Sequence, residues 1–367
     1  MTARGLNSPG ADSRPPSFRL GFFTRMVDNV APAQVYARAM EMFETAEDLG
    51  YDAGWVAQHH AHAEGGLPSP LVFLAAAAAR TTRLKLVTGI ITLPLESPVR
   101  LAEDAAVLDV LSGGRLELGF GTGGNPTSFS IFGRELEKRH DDYDRAFTIV
   151  RDALSGWELV PGGPILFPPA ERLLATMWEA TFRVEGAIRA AQRGSGLLLA
   201  RTAVRPTSVG NEAIAAREHL GDAQSPIVDA YLANWSSADA RPRIGLSRSV
   251  YVAPARAEAI ADAEQGMRRH ARAVGRRDGY TSDLTVEQLL ARNDVHIGSP
   301  DDVIASLRAD RLLSTASDLM VQVHPVDPSH EKTMRSLKLI ATEVAPALGW
   351  RPSSQESMDA QISGTDR

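Results

Sequence analysis

The chain contains no cysteine among its 367 residues. Disulfides, thiolate nucleophiles, iron–sulfur clusters and cysteine-ligated zinc are therefore all excluded. Long apolar runs are missing as well: the longest, "LVFLAAAAA" at 71–79, is too short to span a bilayer. An excess of basic charge is also lacking. The net charge is −6 and is spread along the chain, so nothing advertises a nucleic-acid or anionic-membrane surface. The first residues, "MTARGLNSPGADSRPPS", are polar and rich in Pro and Gly without an apolar core, unlike a secretory signal, and the expected location is cytoplasmic. Three catalytic signatures are absent too. No Gly-Lys-Ser/Thr follows a glycine-rich stretch, no Gly-x-Ser-x-Gly elbow occurs, and Glu179 has no second strand-end carboxylate to form a glycosidase pair. There is no internal repeat.

What is present is a repeated strand-then-helix beat. "FRLGFF" (18–23) reads as a buried strand and is followed by a helix with Pro32 near its start and Gly50 past its end. "AGWVAQHH" (53–60) leads to a helix opened by Ser69-Pro70, and "LKLVTGIITL" (84–93) to one opened by Ser97-Pro98. "RLELGF" (115–120) precedes a helix at 140–154. Further strands are read at 174–180, 196–200, 243–253 and 318–325, with helices between them and a well-capped start at Ser299-Pro300-Asp301-Asp302. Eight buried strands, nearly all followed by helices, predict a (β/α)8 TIM barrel with insertions, an open doubly wound sheet being the alternative. One domain is expected over 17–350, with flexible termini at 1–16 and 351–367. The polar, Pro-punctuated stretch 201–242 is expected to form a lid.

Two motifs carry chemistry. "RLELGFGTGGNP" (115–126) holds Gly119-x-Gly121-x-x-Gly124, but Gly124 is followed by Asn125-Pro126, and the acidic residues at 141–144 lie inside a helix. A dinucleotide turn needs its third glycine at a helix start and an acidic residue at the next strand end, so that reading fails. In a barrel the segment is the C-terminal end of the fourth strand, where bare backbone at Gly119, Gly121, Gly123 and Gly124 lets a flat ring or a phosphate approach. The plainer reading is that these glycines only turn the chain. His59 and His60 end the second strand. Successive strand residues face opposite ways, so one of them at most aims into the site unless the strand has already ended. A metal set of His59, His60, His62 and Glu64 would lack helical i,i+4 spacing. Hydrogen bonding at the rim and proton transfer are the other two roles open to the pair.

The stretches "YDAGWVAQHHAHAEGG", "SPLVFLAAAAARTTRLKLVTGIITLPLESPVRLAEDAAVLDVLSGGRLELGFGTG" and "HIGSPDDVIASL" resemble the bacterial luciferase-like flavin monooxygenases. The resemblance is dense over about 18–155, thinner to 200, and returns at 243–345. It implies a (β/α)8 barrel that binds reduced FMN, or deazaflavin F420 in one branch, at the strand ends. His59 then stands near the reactive edge of the flavin as a proton-transfer residue, with His60 beside it. Thr88, Gly89 and Ile90 form a wall against the ring, with a cis peptide at Gly89-Ile90. Gly119, Gly121, Thr122 and Gly123 lie beside ring and phosphate, and Thr181, Arg183 and Glu185 take the phosphate. Light-emitting members carry an acidic residue where this chain has Gln58 and an arginine where it has Thr122, so the resemblance implies the flavin site and not light emission. With no dinucleotide-binding domain in the chain, a separate flavin reductase is the implied partner, together with O2, a small organic substrate and a second copy packed through helices 2 and 3. Hydride transfer with F420 and non-catalytic flavin binding are the alternatives.

Overall fold

Short apolar segments bounded by Gly, Pro and Ser form ten parallel strands, and eight of them close on one another. They are β1 (Arg19–Thr24), β2 (Ala53–Val56), β3 (Lys85–Thr88), β4 (Ile91–Thr92), β5 (Leu116–Gly121), β6 (Met177–Ala180), β7 (Gly196–Leu199), β8 (Ile244–Val252), β9 (Val295–Gly298) and β10 (Asp318–Gln322). The ring runs β1-β2-β3-β5-β6-β7-β8-β10 and returns to β1, so the TIM barrel is the fold. The computed structural model describes residues 18–61, 65–203, 219–238, 240–275 and 283–352; the terminal stretches expected to be flexible lie mostly outside these.

Two strands differ from the sequence reading. The run 84–93 is not one strand: it breaks at a cis Gly89–Ile90 peptide into β3 and β4, each paired to β5. β9 was not expected; it adds to the C-terminal half of β8, Ser249 to Val252, beyond the barrel ring.

The helices follow their start signals. α1 (Pro32–Asp48), α2 (Pro70–Ala78) and α3 (Pro98–Leu111) each begin with proline in the first turn, where its missing N–H costs nothing. Around the barrel come α4 (Pro126–Ile131), α5 (Arg139–Leu154), α6 (Val184–Arg193), α7 (Leu220–Ala233), α8 (Arg256–Val274), α9 (Val286–Arg292), α10 (Pro300–Arg308) and α11 (His330–Leu339). Ser299 and Asp302 form the capping box of α10. Of the segment 201–242, α7 packs its Leu220, Ile227, Val228 and Tyr231 inward, and the Tyr231 hydroxyl donates to the Ser195 carbonyl at 2.8 Å. Residues 204–218 and 239 lie outside the described set.

The barrel interior holds Trp55, Val87, Trp178, Leu198 and Met320, with the two indoles edge to face at 5.6 Å. Glycines opposite make their room: a Cβ on Gly21 would lie 2.6 Å from Trp55 Nε1, and one on Gly196 2.3 Å from the Trp178 ring. Beneath them, at the N-terminal ends of the strands, Arg19 bridges Glu117 at 2.7 Å and Asp318 at 2.6 Å, Trp178 Nε1 donates to Glu117 at 2.9 Å, and Arg243 stacks on Trp178. Burial works against the charge on Glu117, yet Arg19 and the indole N–H outweigh it and hold the carboxyl below its usual value.

Two histidines make the outer shell acid-sensitive. Burial, with His324 and Arg201 nearby, pulls His270 on α8 down to about 4, and burial beside Arg248 does the same to His296 on β9. Both fold as neutral rings, so their contribution is complete above the ordinary histidine value of 6.5 and is lost as the pH falls toward 4. Urea midpoints should be level from pH 8 to pH 7 and fall by pH 5, with a shallower fall in His270→Gln; a midpoint that rises on acidification would contradict this.

Candidate active site

At the C-terminal ends of the strands the barrel opens into a cavity of about 440 Å³, a volume within the usual range for small-ligand sites. Its floor is the top of the interior core: Phe23, Trp55, Ile90, Leu198 and Met320. Above it stand His59 and His60 after β2, Gly123 to Asn125 after β5, Phe182 after β6, Arg201 after β7, and Gln322 at the end of β10.

The backbone N–H of His59 donates to the Leu67 carbonyl at 3.0 Å, which fixes where the ring leaves the chain. Its Nε2 lies 3.5 Å from Nη2 of Arg25. The His60 ring stands edge-on to Phe132 at 4.6 Å, and burial, opposed by Glu96, lowers its pKa and keeps it a neutral imidazole. Gln58 is a strut. Its amide nitrogen donates to Glu96 at 2.7 Å and to the Pro68 carbonyl at 3.2 Å, while its oxygen accepts from the Thr92 N–H at 2.7 Å. Here lies the reason for amide over acid: a carboxylate could accept from Thr92 but could not donate to Glu96, and would face it as a like charge. Gln58→Glu should lower stability by about 2–3 kcal/mol, read as a shift of the denaturant midpoint; an unshifted midpoint would show that the strut carries no weight.

The glycine-rich strand end has two distinct roles. Between the paired residues Val87–Glu117 and Ile91–Phe120, β3 and β4 carry one residue more than β5, so the ladder is interrupted. Thr88 repairs the gap with its side chain: Oγ1 accepts from the Gly119 N–H at 2.8 Å and donates to the Gly119 carbonyl at 3.1 Å. A Cβ on Gly119 would lie 2.1 Å from the Thr88 carbonyl oxygen, so this glycine permits strand contact rather than ligand approach. Thr88 and Gly119 are thus buried behind the wall. Gly89, Ile90 and Gly123 line the cavity. Gly123 has φ +67, and a Cβ there would meet Thr92 at 2.4 Å, whereas Gly124 borders open space. Gly121 packs against Ile90, and Thr122 sits next to the cavity without lining it.

Thr181, Arg183 and Glu185 are not among the lining residues. Thr181 Oγ1 accepts from the Arg183 N–H at 3.0 Å, Arg183 is the N-cap of α6, and Glu185 lies in its exposed first turn. Phe182, between them, does reach the cavity. Glu179 faces the helical layer, bound by Tyr143 at 3.0 Å and Arg193 at 2.9 Å. His62 and Glu64 lie outside the described residues. The sequence reading passed over Arg25, directly after β1, and Arg201, the second residue beyond β7, and that position was the available signal. Among the described residues the cavity is lined by two arginines and two histidines and by no carboxylate.

A closed parallel barrel with its cavity at the C-terminal rim, opened by a histidine pair after the second strand, defines a class. The signature of the luciferase-like monooxygenase family matches residues 18–314. The chain belongs to that family and is an oxidoreductase of the monooxygenase type. Among its relatives, 4-hydroxyprotoasukamycin monooxygenase of Streptomyces nodosus subsp. asukaensis is 29% identical over 339 residues, 84% of this chain and 86% of the relative. Among solved structures, the monooxygenase RslO1 from Streptomyces bottropensis superposes with a TM-score of 0.68 at 26% identity, over 90% of this chain and 99% of its own. The oxygenating constituent of 3,6-diketocamphane monooxygenase from Pseudomonas putida, solved in complex with FMN, gives 0.70 at 20% identity over 90% and 98%.

Proposed function

We propose that the protein is the oxygenase of a two-component flavin-dependent system, taking reduced FMN from a separate reductase and inserting oxygen from O2 into a small organic substrate. One observation carries this reading: an apolar, aromatic floor beneath a rim that is cationic and free of carboxylates among the described residues. Such a site suits a flat ring with an anionic tail. Phe23, Trp55 and Ile90 would hold the ring, the bare backbone of Gly123 and Gly124 would let it approach, and Arg201 would pair with the phosphate in place of the exposed Arg183.

Reduced flavin, when bound, supplies the electrons that activate O2. The protein's share is to exclude water and to manage a proton. The apolar floor keeps water away from the reacting edge, and Phe182 stands at the mouth where it can cover a guest. His59 would manage that proton, its ring placed by the Leu67 hydrogen bond and by Arg25. His60, neutral and packed on Phe132, would stiffen the wall. Anaerobic titration with photoreduced FMN is the test. Saturable binding supports the reading; no binding overturns it, and tighter binding of reduced F420 replaces it with hydride transfer.

The reading includes a homodimer. Val72 on α2 and Val107, Val110 and Leu111 on α3 are exposed on adjacent helices, an apolar face of the kind that marks association. Sedimentation velocity should give a dimer for the natural chain and a monomer for Val110→Glu; a monomeric natural chain would refute it.

A further inference from the structure

Both nitrogens of the His59 ring are bounded by groups that restrict what they can do. On one side Gly65, at φ +110, lies so close that a Cβ there would be 2.7 Å from Nδ1. A side chain at 65 would push the ring out of place. On the other side stands Nη2 of Arg25, 3.5 Å from Nε2. A guanidinium has donors and no acceptor, so this contact is attractive only when Nε2 carries a lone pair. The imidazole must then be neutral, with its proton on Nδ1.

Arg25 is itself placed from behind. It follows β1 and forms part of the wall between the large cavity and a second one of about 70 Å³, which it shares with His324 and Asp327. In that second cavity Asp327 lies 2.7 Å from His324 Nδ1. Burial opposes the charge of Asp327, yet the His324 hydrogen bond and the Arg269 and Arg25 guanidiniums outweigh it and hold the carboxyl below its usual value. The cation thus has a carboxylate on the side away from His59. Arg201 adds positive charge to the large cavity and acts on His324 as Arg25 does, while Glu96 acts on His60 beyond the Gln58 strut.

We infer that Arg25 is a positioning residue that fixes His59 as the neutral tautomer protonated at Nδ1, its guanidinium donating to the Nε2 lone pair and disfavouring the imidazolium. This rests on the reading of His59 as the proton-handling group. It adds the reason why a histidine in an open cavity would begin each cycle neutral and in a single tautomer.

The test is long-range ¹H–¹⁵N spectroscopy of the imidazoles in the flavin-free protein, with the His59 signals identified by their loss in His59→Gln. The natural chain should show a single tautomer with Nε2 unprotonated. Arg25→Met, which removes the donors, should give a shifted, averaged pattern, and Arg25→Lys should restore the single form. The His330 ring, paired with Glu41 at the surface, should be unchanged throughout, which reports that the variants are folded. A proton on Nε2 in the natural chain overturns the inference, as does an unchanged tautomer in Arg25→Met; should that variant fail to fold, the natural-chain spectrum and Arg25→Lys decide. Because no flavin is present, failure here leaves the FMN titration to stand or fall separately.

Discussion

Replacing His59 by alanine should lower product formation by about 10²–10⁴-fold, the usual contribution of a positioned general acid–base group, while the dissociation constant for reduced FMN changes little. The basis is geometric. His59 reaches the cavity from a backbone pinned to Leu67, its ring sits between Gly65 and Arg25, and it stands over the same floor as Trp55 and Ile90. It contributes one side chain to a cavity wall built from seven other strand ends, so its loss should spare binding. The measurement pairs anaerobic flavin titration with oxygen consumption divided between product and hydrogen peroxide. Full coupling in the alanine variant would remove His59 from the chemistry. Equal loss of binding and turnover would make it a structural support. His60→Ala, which removes only packing against Phe132, should be the milder change.

The second large effect concerns stability. Gly119→Ala should destabilise the fold by about 3 kcal/mol or more, toward or beyond the upper end of what overpacking costs. The added carbon would meet the Thr88 carbonyl oxygen at 2.1 Å, and that oxygen belongs to backbone that cannot yield without breaking the two bonds from Thr88 Oγ1 to Gly119. Against a typical total of about 5–15 kcal/mol, such a loss shows directly in a denaturation curve. Gly124→Ala is the control, since a Cβ there meets open space. The two variants melting together would refute the account of the strand break.

The barrel was legible because its first three βα units repeat the same local chemistry: an apolar run, then Pro or Ser-Pro at a helix start, at Pro32, Pro70 and Pro98. Both histidines could be placed for the same reason, as they end a recognisable strand, whereas the wall at Gly89–Ile90 is implied by the family resemblance alone. The interruption between β3 and β4 was hidden because 84–93 is apolar on both sides of it, so hydropathy carries no mark where the ladder fails. β9 escaped notice because it is short and pairs only beyond the ring. At 181–185 sequence position gave the neighbourhood without the direction: in the turn into α6, Phe182 borders the cavity mouth while Arg183, at the N-cap position, does not line it. Arg25 and Arg201 share a site only because the barrel closes, and no local pattern in either segment announces that meeting.

The charged stopper beneath the indoles has a kinetic consequence. With Arg19, Glu117, Asp318 and Arg243 sealing the lower end, traffic is confined, among the described residues, to the upper rim. Whatever settles deepest must come first and depart last, so the order of loading and unloading is set by depth, and the enzyme works like a flask rather than a pipe.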